Sequence, residues 1–320
     1  MEQIRVTSIE THFIEDLGFT EFMDFPLRHM YGSDGMTQRT VYIAHTNTGL
    51  EGYGEYSGPP AAQAILDHYI GSSPFEHLND EVHLGLGTAM YDLMGKATGL
   101  PCHRLFGAQC RTYVPVSSWF NATSPARMAE AVKYYAKMGH TWMKFHLSPF
   151  ENVIEQTKAM QAVAPAGFQI HYDFTMYGDQ GGQGGLTHVA QLLEALSEFP
   201  IAGCYEDVLW QHDMVGYEEL RRRANRPIGL HHFPLGVTTE MMQHRMGDFY
   251  MLGHGLIGTN AKKAGVFEAA KAPFMMQNTG GAITRAMNAH MSSVFTGAHA
   301  TEALMSLVNS CQSISPAARL

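Results

Sequence analysis

The chain has 320 residues, of which 45% are hydrophobic and 16% are charged, and its formal net charge is −9. This composition is typical of a globular protein and argues against a disordered chain. The negative charge provides no basic stripe for nucleic acid and no polybasic patch for anionic lipid, so neither is expected as a partner. A small ligand is the expected partner.

The sequence also bears on the compartment. No apolar run reaches the roughly 20 residues that a membrane span needs, and the charged first residues do not resemble an export signal. The cysteines at 102, 110, 204 and 311 are far apart and form no C-x-x-C pair, which is typical of reduced thiols. We therefore expect a cytoplasmic protein with no membrane association.

The first third of the chain mixes two kinds of pattern. Ile4 to Ile9 and Thr40 to Ala44 alternate as strands do, whereas Asp80 to Thr98 carries an apolar helical face that ends at Gly99, a typical C-cap residue. These patterns predict a separate α+β unit over residues 1–112.

After Tyr113 short apolar runs alternate with amphipathic helical stretches, as in successive βα units. The predicted strands are Val114 to Trp119, Thr141 to His146, Gln169 to Asp173, Gly203 to Glu206, Ile228 to His231, Phe249 to Leu252, Phe274 to Gln277 and Ala298 to Glu302. Eight such units predict a TIM-type (β/α) barrel over residues 113–320. A doubly wound sheet is the alternative, because periodicity alone does not show closure.

Polar residues able to bind metal or move a proton end strand after strand. Lys144 and His146 share one face of the second barrel strand because side chains alternate along a strand. The other strand-end residues are Asp173, Glu206, Asp207, His231, His232 and Glu302. A barrel brings its strand ends together, so these residues predict one active site at the C-terminal ends of the strands.

These residues carry a family resemblance. The segment Thr88 to Pro101 followed by Arg104 to Gly107, the Lys144-x-His146 pair, Asp173, Glu206 and Glu302 resemble the mandelate racemase and muconate lactonizing enzyme group of the enolase superfamily over nearly the whole chain. The resemblance implies an α+β capping domain (1–112) over a modified TIM barrel (113–320) whose C-terminal part is short relative to the family pattern. It also implies a homo-oligomer.

The same resemblance implies Mg²⁺ chemistry on a small carboxylate substrate, in which a proton α to the carboxylate is removed and a metal-stabilised enediolate forms. Lys144 and His146 match the catalytic motif, Asp173 and Glu206 match the first two metal ligands, and Glu302 matches an acidic residue that contacts substrate. A divalent ion acting as a Lewis acid beside a base is the combination that such a weakly acidic proton demands.

Three strand ends depart from the family pattern. His231 replaces the third carboxylate ligand, which shifts the expected ion from Mg²⁺ toward Mn²⁺, Fe²⁺ or Zn²⁺, while His232 should face away. On the sixth strand Gly253 occupies the catalytic position, and His254 would point inward only if the backbone there were irregular. Asn278 stands where racemases have a histidine, so it is expected to bind substrate rather than exchange protons.

Two segments of the first unit are lid candidates. Phe19 to Tyr31 carries Arg28 and His29, which could contact the distal end of an anionic substrate, and Gly52 to Ser57 is the second candidate. The predicted function is a metal-dependent lyase that dehydrates a sugar acid or a related acid, with racemisation, epimerisation or cycloisomerisation as other outcomes. The alternative is a degenerate relative that binds without catalysis.

Overall fold

The computed structural model describes residues 3–15, 38–148, 150–174, 185–231, 233–278 and 280–302, with residues 299–302 described by their backbone alone. Within these ranges a three-stranded antiparallel sheet precedes a closed barrel of eight parallel strands. No helix in this part of the chain combines the length and apolar character that crossing a membrane requires.

The first unit contains strands β1 (Val6–Ile14), β2 (Arg39–Thr46) and β3 (Glu51–Ser57) and helices α1 (Gln63–Tyr69) and α2 (Leu84–Thr98). Glycines in β3 allow α2 to pack directly on the sheet, because a Cβ on Gly54 would lie 1.8 Å from the carbonyl oxygen of Gly85. Gly52 to Ser57 is therefore part of a packed strand, and its prediction as a lid is wrong.

Helix α2 begins four residues later than its apolar pattern predicts. Asp80 accepts hydrogen bonds from the Tyr69 hydroxyl and from the N–H groups of Val82 and His83, which holds this stretch in a turn. The helix starts after His83, whose Nδ1 accepts the N–H of Leu86. It ends as predicted at Gly99, which has a left-handed φ of 67°.

The barrel strands are β4 (Val116–Asn121), β5 (Trp142–His146), β6 (Gln169–Asp173), β7 (Ala202–Glu206), β8 (Ile228–Leu230), β9 (Phe249–Gly253), β10 (Phe274–Gln277) and β11 (Ala298–Glu302). Pairing of β11 with β4 closes the sheet, which confirms the barrel and excludes the doubly wound alternative. All eight predicted strands are present, with ends shifted by at most a few residues.

The helices between these strands cover the outside of the barrel and bury one apolar core with it. They are α3 (Pro125–Lys137), α4 (Val153–Gln161), α5 (Leu186–Ser197), α6 (Met214–Arg223), α7 (Thr238–Gln243), α8 (Ile257–Ala270) and α9 (Ala282–Ser292). Helix α3 starts at Pro125, which fits the first helical position because proline lacks an N–H that would otherwise be unpaired.

Candidate active site

Lys144 lies at the centre of a buried charged cluster inside the barrel. Its Nζ is 2.9 Å from Asp173 Oδ2 and 2.9 Å from Glu206 Oε2, and it donates a hydrogen bond of 3.2 Å to Gln277 Oε1. Lys144 and Glu206 are each 0% exposed and Asp173 is 1% exposed. Such a charged group is stable in a barrel interior only because opposite charges pair with it.

Strand register places these groups side by side. His146 is opposite Asp173, and Asp173 is opposite Glu206, so all three side chains point to the same face of the sheet. His146 Nε2 lies 3.0 Å from Asp173 Oδ2, and the side chain of His146 is 14% exposed. His146 is therefore more accessible from the barrel mouth than Lys144.

Two buried histidines lie beside Glu206. His171 Nε2 lies 2.6 Å from its Oε2, and His231 Nδ1 lies 2.9 Å from its Oε1. Burial and the charge of Asp173 raise the pKa of Glu206, but Lys144 and His171 outweigh them, so the pKa lies well below its usual value. His171 was not predicted from the sequence as a site residue, although it precedes Asp173 by two residues and therefore lies on the same face of the strand.

Asp207 joins the cluster through an unusual backbone. Its φ of 49° is left-handed, and its Oδ1 accepts the N–H of His231 at 2.7 Å. Glu206, Asp207 and His231 offer one ligand atom each, all within 4.8 Å of one another. Burial raises the pKa of Asp207 well above its usual value, and the charges of Glu206 and Asp173 add to the shift, which is the condition that a bound cation relieves.

The chemistry of this donor set fits a divalent ion. Burial lowers the pKa of His231 although Glu206 opposes the shift, so its imidazole is neutral and has a lone pair to donate. The sequence predicts Asp173, Glu206 and His231 as ligands. The structure groups Asp207 with Glu206 and His231, whereas Asp173 contacts Lys144 and His146.

His254 also follows a strand end with a left-handed backbone. Its φ is 50°, and its N–H donates to the carbonyl oxygen of Gln277 at 3.0 Å. The exposed His254 ring lies 5.3 Å from the ring of His231, with 32° between their planes. In the barrel order β5 and β9 are four strands apart, so His146 and His254 occupy opposite sides of the mouth.

The seventh barrel strand places Gln277, and not Asn278, against Lys144. Gln277 Oε1 accepts from Lys144, while the buried Asn278 donates from Nδ2 to Asn288 Oδ1 at 2.7 Å. Gln277 was missed because sequence alone does not fix which residue of a strand end faces the interior.

Arg28, His29 and His232 lie outside the described residues. The backbone of Glu302 pairs with Ser117 at the start of β4. Among the described cysteines, Cys102, Cys110 and Cys204 are free thiols.

Sequence comparison finds limited similarity. No protein-family model matches the chain. D-galactonate dehydratase from two strains of Xanthomonas oryzae pv. oryzae, PXO99A and MAFF 311018, is 26% identical over 129 residues, which are 39% of this chain and 34% of each dehydratase. The match thus spans about a third of the length of these curated relatives.

Solved structures match over most of the chain. The dipeptide epimerase of Enterococcus faecalis V583 in complex with Mg and the dipeptide L-Leu-L-Tyr is 18% identical, with a TM-score of 0.74 over 94% of this chain and 90% of that chain. An enolase from Bradyrhizobium complexed with magnesium and mandelic acid is 16% identical, with a TM-score of 0.71 over 95% and 89%.

The solved structure of a member of the enolase superfamily from Salmonella Typhimurium matches a larger share of this chain. It is 14% identical, with a TM-score of 0.71, and the match covers 98% of this chain and 90% of that chain. At sequence identities this low, structural similarity establishes the fold but not the reaction, which has to be argued from the residues of this chain. The chain therefore has the fold of the enolase superfamily.

Proposed function

We propose that the protein is a metal-dependent enzyme that removes a proton α to a carboxylate and then eliminates water from a hydroxy acid. The observation that carries this proposal is the buried set of opposite charges at the C-terminal strand ends, where Lys144 lies between Asp173 and Glu206. Active sites are where a fold retains such costly groups.

His146 is the proposed base. It is the partly exposed member of the cluster, whereas Lys144 is fully buried and directs its protons to carboxylate and amide oxygens. With Nε2 donating to Asp173, Nδ1 is the ring nitrogen left to accept the substrate proton, and in this structure that atom is buried. Asp173 thus fixes the tautomer and orientation of the ring, as carboxylates commonly do for histidine bases.

Glu206, Asp207 and His231 are the proposed metal ligands, with Mg²⁺ or Mn²⁺ as the ion. A divalent ion held there would supply Lewis-acid stabilisation of the negative charge that develops on the substrate carboxylate. The bidentate contact of Lys144 with Glu206 keeps that carboxylate ionised and oriented. The two solved structures that contain magnesium show that this fold accommodates the ion in other proteins.

Dehydration is the proposed outcome, supported by the position of His254 across the mouth from His146. His146 takes the α-proton, the C–H electron pair forms a Cα–Cβ double bond, and the bond from Cβ to its hydroxyl breaks. His254 gives a proton to the departing hydroxyl, which leaves as water, and the enol product converts to a 2-keto-3-deoxy acid. A sugar acid is the proposed substrate class, consistent with the sequence similarity to D-galactonate dehydratase.

The first 112 residues are proposed as a capping domain that closes the barrel. Polar contacts join the two parts: Glu55 Oε1 accepts the N–H of Thr284 at 2.8 Å, and Glu81 pairs with Lys262 at 2.6 Å. Arg28 and His29 remain proposed contacts for the distal end of the substrate, with Glu302 and Asn278 on the barrel side.

The test is proton NMR in D₂O with a panel of sugar acids, in the presence of Mg²⁺ and then Mn²⁺. We expect at least one acid to take up deuterium at Cα and to yield a 2-keto-3-deoxy acid. Deuterium uptake with inversion and no keto acid would show an epimerase. Binding by calorimetry with no exchange for any acid would refute the enzyme and favour the non-catalytic alternative.

A further inference from the structure

Two buried side chains at the end of the first barrel strand have polar atoms without a hydrogen-bond partner in the described part of the chain. Asn121 is 6% exposed, and within that part of the chain neither its Oδ1 nor its Nδ2 has a hydrogen-bond partner. Trp119 is 1% exposed, and its Nε1 has no partner within the same ranges.

Both side chains face the proposed catalytic centre. Trp119 is opposite Lys144 and Asn121 is opposite His146 in the pairing of β4 with β5, so they share the interior face of the barrel. The ring of Trp119 meets the ring of His146 edge to face, with centroids 5.4 Å apart. Asn121 therefore lies beside the proposed base, at the end of the strand where substrates bind in barrels of this kind.

A buried polar group without a partner destabilises a folded protein, so each such group calls for an explanation. Other buried amides in the barrel have at least one hydrogen bond each: Asn278 donates to Asn288, and Asn260 donates to the carbonyl oxygen of Gly255. Each of these three amides leaves one of its two polar atoms unpaired among the described residues, whereas Asn121 leaves both. Asn121 and Trp119 together present two donor nitrogens and one amide oxygen toward the site. A ligand that both accepts and donates hydrogen bonds would satisfy them.

We propose that Asn121 and Trp119 bind hydroxyl groups of the substrate and thereby select acids that carry hydroxyls on the carbons next to the carboxylate. This inference rests on the proposed function and adds two specificity-determining residues to it. A hydroxyl accepts from an N–H and donates to an amide oxygen, whereas a carboxylate can only accept and an ammonium can only donate. Adjacent hydroxyls of a polyhydroxy acid match the two donor nitrogens and the single amide oxygen.

The test compares binding of a six-carbon aldonic acid, its monodeoxy analogues and a dipeptide to the full chain with Mg²⁺, by calorimetry. The variants are Asn121→Leu, which removes both polar atoms and keeps the branched shape of the side chain, and Trp119→Phe, which keeps the aromatic contact with His146 but removes the N–H. Ser118→Ala is the control, because Ser118 precedes Trp119 on the opposite face and its hydroxyl donates to the carbonyl oxygen of Trp142.

We expect Asn121→Leu to bind the aldonic acid about 10- to 100-fold more weakly, in line with the loss of one or two hydrogen bonds. One monodeoxy analogue should bind the wild type and this variant equally, and Trp119→Phe should show the same pattern with a smaller loss. The melting temperature of ligand-free Asn121→Leu should equal or exceed that of the wild type, because an unsatisfied amide is replaced by an apolar group.

Equal discrimination between hydroxy and deoxy acids in the wild type and both variants would overturn the inference, even if α-proton exchange is observed. Tighter binding of the dipeptide than of any hydroxy acid would overturn it as well. A lower melting temperature of Asn121→Leu with unchanged affinity would assign Asn121 a purely structural role. Loss of hydroxyl selectivity in a protein that exchanges no α-proton would support the inference while refuting the proposed function.

Discussion

Replacing Lys144 by methionine removes the only described cation that contacts both Asp173 and Glu206. Methionine has similar length but cannot pair with the two carboxylates, which are 1% and 0% exposed. Leaving a buried charge without its partner costs about 3–5 kcal/mol. An unfolding entropy of about 2.1 cal/mol/K per residue makes each kcal/mol worth about 1.5 °C of melting temperature for 320 residues, so the expected decrease is about 4–8 °C.

The assay is thermal and urea unfolding of the metal-free protein followed by circular dichroism. Lys96→Met is the matched control, because Lys96 pairs with Asp92 at 2.7 Å on the surface, where the two side chains are 37% and 28% exposed. That exposed pair should contribute at most about 1 kcal/mol. Adding Mn²⁺ should raise the melting temperature of Lys144→Met more than that of the wild type, because a divalent cation restores positive charge beside the carboxylates.

Equal destabilisation by Lys144→Met and Lys96→Met would refute the reasoning. It would mean that the carboxylates take up protons at little cost when the lysine is absent, and that the central ion pair does not organise the site.

Asp207→Asn should weaken Mn²⁺ binding, measured by calorimetry, by at least about 10-fold, because even the loss of a residue that only contacts a metal ligand has an effect of this size. A larger loss of affinity in Asp173→Asn than in Asp207→Asn would instead favour the ligand set predicted from the sequence. Burial lowers the pKa of His83 below its ordinary value of 6.5 in the folded protein. As the pH falls, the unfolded chain therefore binds a proton at this histidine before the folded protein does. The free energy of unfolding should then decrease below about pH 6.5, by up to about 1.4 kcal/mol per pH unit. His83→Asn, which keeps an acceptor for Leu86, should reduce that slope, and an unchanged slope would contradict the prediction. Gly54→Ala should lower stability by about 1–3 kcal/mol in urea unfolding because its Cβ meets a backbone oxygen of α2, and an unchanged midpoint would show that β3 and α2 separate easily.

The barrel could be predicted because its signals are local. Apolar runs such as Gln169 to Asp173 and Phe274 to Gln277 are bounded by turn residues, and both strands have the predicted ends. Gly99 ends its helix as expected because glycine adopts a left-handed φ without a steric penalty. The role of Gly54 could not be predicted, since the close approach of α2 to the sheet depends on tertiary packing.

The site was less predictable because it depends on backbone irregularities and register. Asp207 and His254 both have left-handed φ angles just after a strand, which turn side chains that regular alternation would direct away from His231. Asparagine, aspartate and histidine tolerate this conformation better than most residues. An aspartate or histidine that directly follows a strand-end carboxylate or glycine is therefore a candidate site residue. The sequence alone does not show which way its side chain turns.

The strand-end cluster is proposed to remove the α-proton with the help of a divalent ion. The most direct test is the rate of deuterium incorporation at Cα of an active acid, measured by NMR for the wild type and for Glu206→Gln, with Mn²⁺ and after chelation. We expect exchange in the wild type with Mn²⁺, at least about 100-fold slower exchange in Glu206→Gln, and none after chelation, because the charge on the substrate carboxylate would then lack stabilisation. Exchange that persists in the chelated wild type, or at an undiminished rate in Glu206→Gln, would contradict the claim.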